Sequence, residues 1–236
     1  VKNLAWEFMN EAIEINMSGD QITVDKIRQT LYHIGTNEKM KLLLGLLKKH
    51  NPGNVLIFAN TKHEVVRIAA SLTANGYNCN YIIGDLPQKK RMRIIEDIKS
   101  GKLKYLVATD VAARGLHIDD LDLVVNYDLP EDYENYVHRI GRTARAGKSG
   151  LAITLACEKY VYSLPYIESY IKMKIPVEWP EDDLLAEDLT TDKFVKNFIS
   201  RSKSASPKRA DTAKKKTKAI AKKEKTYIQD EKSQKS

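Results

Sequence analysis

Three arginines stand three residues apart in one short segment, together with a histidine and two glycines. The segment is His138-Arg139-Ile140-Gly141-Arg142-Thr143-Ala144-Arg145-Ala146-Gly147. Arginine presents a rigid planar fork of donors, so this repeat can direct several guanidinium groups at one polyanionic group. Glycine allows a ligand to come close to the backbone. The segment therefore predicts a phosphate-binding surface; the alternative is a solvated basic helix end.

The rest of the chain predicts how such a surface is held. Short β-branched runs alternate with segments of helical period, as is typical of a parallel α/β sheet. The predicted strands are 55–58, 80–83, 105–108, 123–127 and 151–155, and the predicted helices are 38–50, 62–75, 87–100, 133–141 and 159–172. Thr61, Gly84, Thr109 and Asp128 each follow a predicted strand, and ligands of such sheets bind at the carboxyl ends of the strands.

Five ordered motifs carry a resemblance to a known family. They are Val55-Leu56-Ile57-Phe58-Ala59-Asn60-Thr61, then Gly84-Asp85 with Gln88 and Arg91, then Ala108-Thr109-Asp110-Val111-Ala112-Ala113-Arg114-Gly115, then Asn126-Tyr127-Asp128-Leu129-Pro130, then the arginine segment. Together they look like the C-terminal RecA-like half of a DEAD-box RNA helicase. Two further motifs resemble the bacterial RhlB subfamily in particular. They are Arg114-Gly115-Leu116-His117-Ile118 and Leu155-Ala156-Cys157-Glu158.

The resemblance implies a fold and an activity. The expected fold is α/β, a RecA-like doubly wound, mostly parallel sheet with helices on both faces. The expected activity is ATP-dependent unwinding of RNA duplexes, in RNA turnover and in the cytoplasm. The sequence contains neither a Gly-x-x-x-x-Gly-Lys-Thr loop nor an Asp-Glu-Ala-Asp stretch. ATP is thus the expected cofactor, Mg²⁺ is expected to be held by a first domain, and the chain alone is expected to be inactive.

The same resemblance assigns roles to single residues. Arg142 and Arg145 are the expected catalytic residues at the γ-phosphate, with Arg145 as the arginine finger, and they bind nucleotide together with Gly115 and His117. The expected RNA contacts are Thr61, Gly84, Arg91 and Thr109, and the expected interdomain coupling residues are Asp110, His138 and Arg139. No metal site is predicted within the chain.

Two positions depart from the family pattern. Many members carry aspartate where this chain has His117, and they use it on the ATP ribose. An imidazole can also donate or accept a hydrogen bond, so either His117 or one of Asp119 and Asp120 takes this role. Ala144 replaces a frequent glycine and adds one methyl group.

Charge divides the chain into parts. The formal net charge is +8, and residues 193–236 contain 15 Lys and Arg against 4 Asp and Glu. We expect 1–22 to be the end of a preceding RecA-like domain with a linker, 23–180 the RecA-like domain, 181–192 an acidic extension and 193–236 a disordered Lys-rich tail. That tail serves either sequence-independent RNA attachment or solubility alone. Val1 is an improbable natural start, so an internal part of a longer protein is expected.

The remaining features concern partners. Cys79 and Cys157 have no neighbour at metal-ligand spacing and are expected to be buried and reduced, and no apolar run is long enough to span a membrane. RNA and an N-terminal RecA-like domain are the expected partners, with a ribonuclease or another degradosome component as a possible third. The alternative is a non-catalytic RNA-binding or docking module that uses the aromatic stretch Tyr160, Tyr162, Tyr166, Tyr170 and Trp179, unless these side chains are core.

Overall fold

One parallel sheet organises the chain in the computed structural model, which describes residues 27–116, 118–143 and 150–204. Its strands are β1 (Ile27–His33), β2 (Val55–Phe58), β3 (Cys79–Ile82), β4 (Tyr105–Ala108), β5 (Leu123–Asn126), β6 (Gly150–Ala156) and β7 (Val177–Glu178). They lie in the order β3-β4-β2-β5-β6-β1-β7, and the neighbouring strands pair in parallel. Helical connections are what parallel neighbours require.

Helices cover both faces of the sheet. They are α1 (Lys39–His50), α2 (Lys62–Ala74), α3 (Gln88–Lys99), α4 (Asp110–Ala113), α5 (Tyr133–Ile140), α6 (Leu164–Ile171) and α7 (Asp192–Ser204). Val55 and Ile57 of β2 point into the core beneath α1 and α2, whereas Leu56 and Phe58 point into the core beneath α3 and α4. Alternation along each strand therefore builds two apolar layers, and the predicted doubly wound fold is confirmed.

Element prediction succeeded where the apolar pattern was strong. The predictions at 55–58 and 105–108 coincide with β2 and β4. Strand β1 was missed because polar side chains interrupt its pattern, although Gln29 and Thr30 are buried in the sheet. The predicted helix at 159–172 is shorter, because a 3-10 turn precedes α6, which starts at Leu164 with a proline in its first turn.

The chain crosses the α1 and α2 face through a segment that begins with β7 and that we call the C-terminal strap (residues 177–190). The Ala186 N–H donates to the Lys41 carbonyl of α1 (3.1 Å), and the Leu189 N–H donates to Asn75 Oδ1 after α2 (3.0 Å). A Cβ on Gly45 would lie only 1.7 Å from the Leu184 carbonyl oxygen, so this position requires glycine. The acidic extension is thus packed against the domain.

Helix α7 corrects the prediction of disorder for residues 193–204. Residues 192–204 are helical, and α7 packs along α2. The rings of Phe198 and Tyr81 lie 6.2 Å apart, so a few apolar side chains within the basic stretch anchor the helix on the core. The expectations for residues 1–22, His117, Arg145 and 205–236 lie outside the described residues.

Candidate functional site

Arg139 is the centre of a buried polar network at the carboxyl ends of three strands. Its Nε and Nη2 donate to the two Asp110 carboxylate oxygens (2.6 and 2.8 Å), and its Nη2 also donates to Asn60 Oδ1 (2.9 Å). Its Nη1 donates to the Asp128 carbonyl (2.6 Å) and to Asn126 Oδ1 (3.4 Å). We call these five residues the Arg139 network. Only 1% of the Arg139 surface is exposed, so its donors are used by hydrogen bonds within the domain.

The network continues under α5 across the neighbouring strands. Asn126 Nδ2 donates to Thr154 Oγ1 (3.1 Å), and the Tyr136 hydroxyl donates to Gln29 Oε1 (2.8 Å). Burial raises the pKa of Tyr136, so the phenol remains protonated and able to donate. Polar groups on β5, β6 and β1 therefore fix the height of α5 over the sheet.

A buried ion pair joins α1 to this network. Lys39 Nζ lies 2.5 Å from Asp128 Oδ1, and the two side chains are only 3% and 5% exposed. Asp128 Oδ2 accepts from the Asn60 N–H (3.1 Å). Sequence analysis did not identify this role of Lys39, because helical periodicity cannot reveal a long side chain that turns inward.

Arg142 occupies a different environment, one turn further along. Its Nη1 donates to the Leu116 carbonyl (3.0 Å) and to Asp119 Oδ1 (3.3 Å), and its side chain is 21% exposed. His138 is exposed on the adjacent turn of α5, and Arg114 Nη2 donates to Asn135 Oδ1 (2.9 Å). Arg142, His138 and Arg114 line one small cleft of about 20 Å³, together with Asp110 and Arg139.

Gly115 forms the floor of the turn beside this cleft. Its φ of +73° is left-handed, and no atom lies within 4 Å of the position a Cβ would take. The requirement for glycine here is therefore conformational, and the backbone is open to a ligand. The turn is closed by the Leu116 N–H, which donates to the Ala113 carbonyl (3.2 Å).

The expected RNA-contacting residues follow three adjacent strands, at what we call the RNA rim (Thr61, Gly84, Thr109). Thr61 caps α2 by accepting from the Glu64 N–H (3.1 Å), and Thr109 caps α4 by accepting from the Ala112 N–H (3.4 Å). Thr61 and Gly84 are exposed, whereas Thr109 is 8% exposed. Both hydroxyls keep a proton to donate, and helix N-termini favour phosphate.

Arg91 lies behind this rim, and its guanidinium binds protein carbonyls. Its Nη1 donates to the Ala112 carbonyl (3.2 Å) and its Nη2 to the Ile83 carbonyl (3.3 Å). Among the described residues, its buried Nε has no hydrogen-bond partner. Arg91 thus connects α4 to the end of β3, and its contact with RNA stays a prediction.

The aromatic stretch divides between core and surface. Tyr160 is buried at 7% exposure, as core packing requires. Tyr162, Tyr166, Tyr170 and Trp179 are 57%, 69%, 49% and 73% exposed, so for them the interpretation as core is wrong. Cys157 is buried and Cys79 partly buried, both as free thiols. Within the described part of the chain, there is neither a cluster of metal-ligating side chains nor a helix able to cross a membrane.

Comparisons with known proteins agree with this arrangement. Residues 38–147 match the family model described as the helicase conserved C-terminal domain. The chain is 46% identical over 191 residues to the ATP-dependent RNA helicase RhlB of Shewanella baltica, an alignment that covers 81% of this chain and 44% of that protein. The chain therefore spans less than half the length of the curated relatives that it matches.

Solved structures give the same result. E. coli DEAD-box protein SrmB, bound to regulator of ribonuclease activity A, is similar with a TM-score of 0.63 and 36% identity, covering 68% of this chain and 95% of that chain. S. cerevisiae Dbp5 bound to RNA and ADP BeF3 is similar with a TM-score of 0.67 and 28% identity, covering 84% of this chain and 52% of that chain.

Proposed function

Because this chain belongs to the DEAD-box family, as a C-terminal RecA-like domain of the RhlB type, we propose that it is the second motor domain of an ATP-dependent RNA helicase. One observation carries the proposal. The Arg139–Asp110 ion pair joins α5, which carries His138 and is followed directly by Arg142, to the start of α4, which Thr109 caps. A nucleotide-facing helix and an RNA-facing loop thus share one rigid connection.

Arg142 and Arg145 supply the positive charge for phosphoryl transfer. Arginine donors stabilise charge that develops on the transferred phosphoryl group. Arg142 is held by the Leu116 carbonyl, so its guanidinium is oriented before ATP arrives. Gly115 lets the nucleotide approach the backbone, His117 is the proposed ribose contact, and Mg²⁺ is held by the first domain.

The RNA rim binds the sugar-phosphate backbone without reading bases. Thr61, Gly84 and Thr109 follow β2, β3 and β4, and these strands lie side by side in the sheet. Hydroxyl and backbone donors at helix N-termini suit phosphate, which gives affinity without sequence preference. Arg91 either contacts RNA directly or positions the loops that do.

Asp110, His138 and Arg139 couple the two sites. Arg139 and Asp110 transmit a change at α5 to α4 within the domain, since both side chains are tied together by two short hydrogen bonds. His138 is exposed and is the member of this set able to contact the first domain. Domain closure on ATP and RNA would then bend one RNA strand. RNA turnover in the cytoplasm, with a ribonuclease partner, is the proposed setting.

The test is RNA-stimulated ATP hydrolysis in a protein that joins this chain to a first domain with a phosphate-binding loop. Arg142→Ala and Arg145→Ala should each lower kcat by roughly a thousandfold, as loss of an arginine finger does. Lys104→Ala, an exposed lysine before β4, is the matched control and should keep full turnover. The chain alone should not turn over ATP. Undiminished hydrolysis in either arginine variant would contradict the assignment.

The exposed tyrosines favour a second candidate, a docking module that needs no catalysis. The rings of Tyr133 and Tyr170 are in contact, with centroids 4.5 Å apart and a tilt of 39°, and Tyr166, on the same helix as Tyr170, is exposed. Tyrosine is enriched at protein interfaces because it buries a large area at low entropic cost. Tyr166→Ala should weaken capture of a ribonuclease partner, whereas Met92→Ala, an exposed residue of α3, should not. Equal capture by both variants would remove this candidate.

A further inference from the structure

The C-terminal strap combines one sign of charge with exposed apolar side chains. Residues 177–190 contain Glu178, Glu181, Asp182, Asp183, Glu187 and Asp188, and no lysine or arginine. Within the same segment, Trp179 is 73% exposed, Leu189 64% and Val177 47%. Tryptophan is enriched among residues that anchor interfaces, and Trp179 keeps most of its surface exposed although its ring lies 5.6 Å from that of His33.

A groove lies between the strap and α1. It has a volume of about 580 Å³ and is lined by Tyr32, Lys48, Trp179, Glu181, Asp183 and Leu184, among others. Close packing of Leu184 on Gly45 and the hydrogen bond from the Ala186 N–H to Lys41 hold its outer wall in place. The groove is therefore preformed, which lowers the entropic cost of filling it.

The charge of the strap identifies the occupant. Residues 205–236 contain 11 Lys and Arg against 4 Asp and Glu, with Ile220, Tyr227 and Ile228 as their large apolar residues. Lys48 and Lys49 of α1 also line the groove, but the six carboxylates of the strap outnumber them, so the surface complements a basic segment with a few apolar anchors. We propose that the C-terminal strap binds the Lys-rich segment 205–236 of the same chain.

The position of α7 makes this contact possible. The Asn75 side chain at the end of α2 binds Asp188 and Thr190, so α7 starts at the amino edge of the sheet. Phe198 packs on Tyr81 near the end of β3, so α7 runs toward the carboxyl edge of the sheet.

The distance is within reach of the segment. The sheet is about 29 Å wide between β3 and β7 at roughly 4.8 Å per strand. A chain of this length has a root-mean-square extension of about 30 Å. Tethering raises the effective concentration to roughly the millimolar range, so weak contacts suffice.

The consequence is competition for the same lysines. Acidic side chains of the strap and RNA phosphates attract the same ammonium groups, so the strap holds the segment until RNA displaces it. The displacement of the segment by RNA rests on the proposed function, whereas the docking of the segment on the strap does not.

Trp179 reports the contact directly in the full chain. The sequence has only two tryptophans, so Trp6→Phe leaves Trp179 as the single emitter. We expect acrylamide to quench Trp179 roughly half as efficiently at about 0.01 M salt, where the Debye length is about 30 Å, as at about 1 M, where it is about 3 Å. A single-stranded uridine oligomer added at low salt should restore full quenching.

Charge changes decide whether the segment is the occupant. Replacement of Lys214, Lys215 and Lys216 by Glu should remove the protection, and so should replacement of Glu181, Asp182 and Asp183 by Lys. Combining the two sets should restore it. The matched control replaces Lys99, Lys102 and Lys104, which are exposed around the N-terminus of β4, by Glu and should leave the protection unchanged.

Each alternative outcome would reject a specific part of the proposal. Protection absent in the parent chain at low salt, or unaffected by the Lys214–Lys216 change, rejects the docking. Protection that increases with protein concentration assigns the segment to a second copy and rejects the intramolecular contact. If Trp179 stays protected after the RNA oligomer is added, the docking of the segment is retained. Only its displacement by RNA, which depends on the proposed RNA binding, is then rejected.

Discussion

The surroundings of Arg139 and of Arg142 differ sharply although one helical turn separates the two residues. Arg139 is 1% exposed and makes five hydrogen bonds to four residues of the domain. Arg142 is partly exposed, and one of its nitrogens binds the Leu116 carbonyl and Asp119 Oδ1. The repeat of arginines thus contains one residue that holds the site together and one that is available to a ligand.

This difference teaches that one motif can contain both an accessible arginine and a buried arginine that supports it. Residue type and spacing identify the chemistry, because arginine is suited to phosphate in either place. Burial separates the two roles: a buried guanidinium must have every donor satisfied by protein, whereas a ligand-binding one must keep donors accessible. Substitutions that affect stability should therefore separate from those that affect only turnover.

Arg139→Ala should cause the largest loss of unfolding free energy. The change leaves the partly buried Asp110 carboxylate and Asn60 oxygen, and the buried Asp128 carbonyl, without their donor. Breaking such a pair costs about 3–5 kcal/mol of unfolding free energy. Urea denaturation followed by circular dichroism measures it. A loss below about 1 kcal/mol would mean that Arg139 is no more structural than Arg142, and the contrast would fail.

Lys39→Met should cause the second-largest loss of unfolding free energy. It removes the partner of a buried Asp128 carboxylate, although the Asn60 N–H still binds one oxygen. We expect a loss of about 3 kcal/mol. The double variant Lys39→Met with Asp128→Asn should be more stable than the single one, because no charge is left unpaired. If both variants unfold at the same urea concentration, the ion pair does not support the network.

Gly45→Ala should have an intermediate effect. The added Cβ would overlap the Leu184 carbonyl, so the strap must move away from α1. Overpacking of this kind costs about 1–3 kcal/mol. Gly84→Ala is the matched control, because open space surrounds its Cβ position. It should change the midpoint of urea denaturation little. Protease cleavage within the strap should rise in the first variant alone.

Arg142→Ala should have the smallest effect on stability. Its guanidinium is partly hydrated and makes few protein contacts, so the loss should be about 1 kcal/mol or less. The same variant should lose ATP turnover in the two-domain protein described above. A stable but inactive Arg142→Ala beside an unstable Arg139→Ala is the pattern that the comparison requires.

Much of this fold could be predicted, because β2, β4, α1 and α2 carry uninterrupted apolar periodicity. Strand β1 could not, since it is stabilised by pairing with the distant β6 rather than by its own pattern. The rim positions of Thr61, Gly84 and Thr109 followed from strand ends alone. The inward turn of Lys39 and the carbonyl contacts of Arg91 could not be predicted, because periodicity assigns a helix face and not a side-chain rotamer.

The place of β1 in the sheet has a consequence for how the domain forms during synthesis. Ile27 lies opposite Gly150, and Leu31 opposite Val177, so the first described strand is enclosed by two of the last. Long-range parallel pairing is slow because loop-closure entropy is lost before contacts compensate for it. On the ribosome, β1 must therefore wait, unpaired, until most of the domain has emerged, which makes this strand the expected client of chaperones.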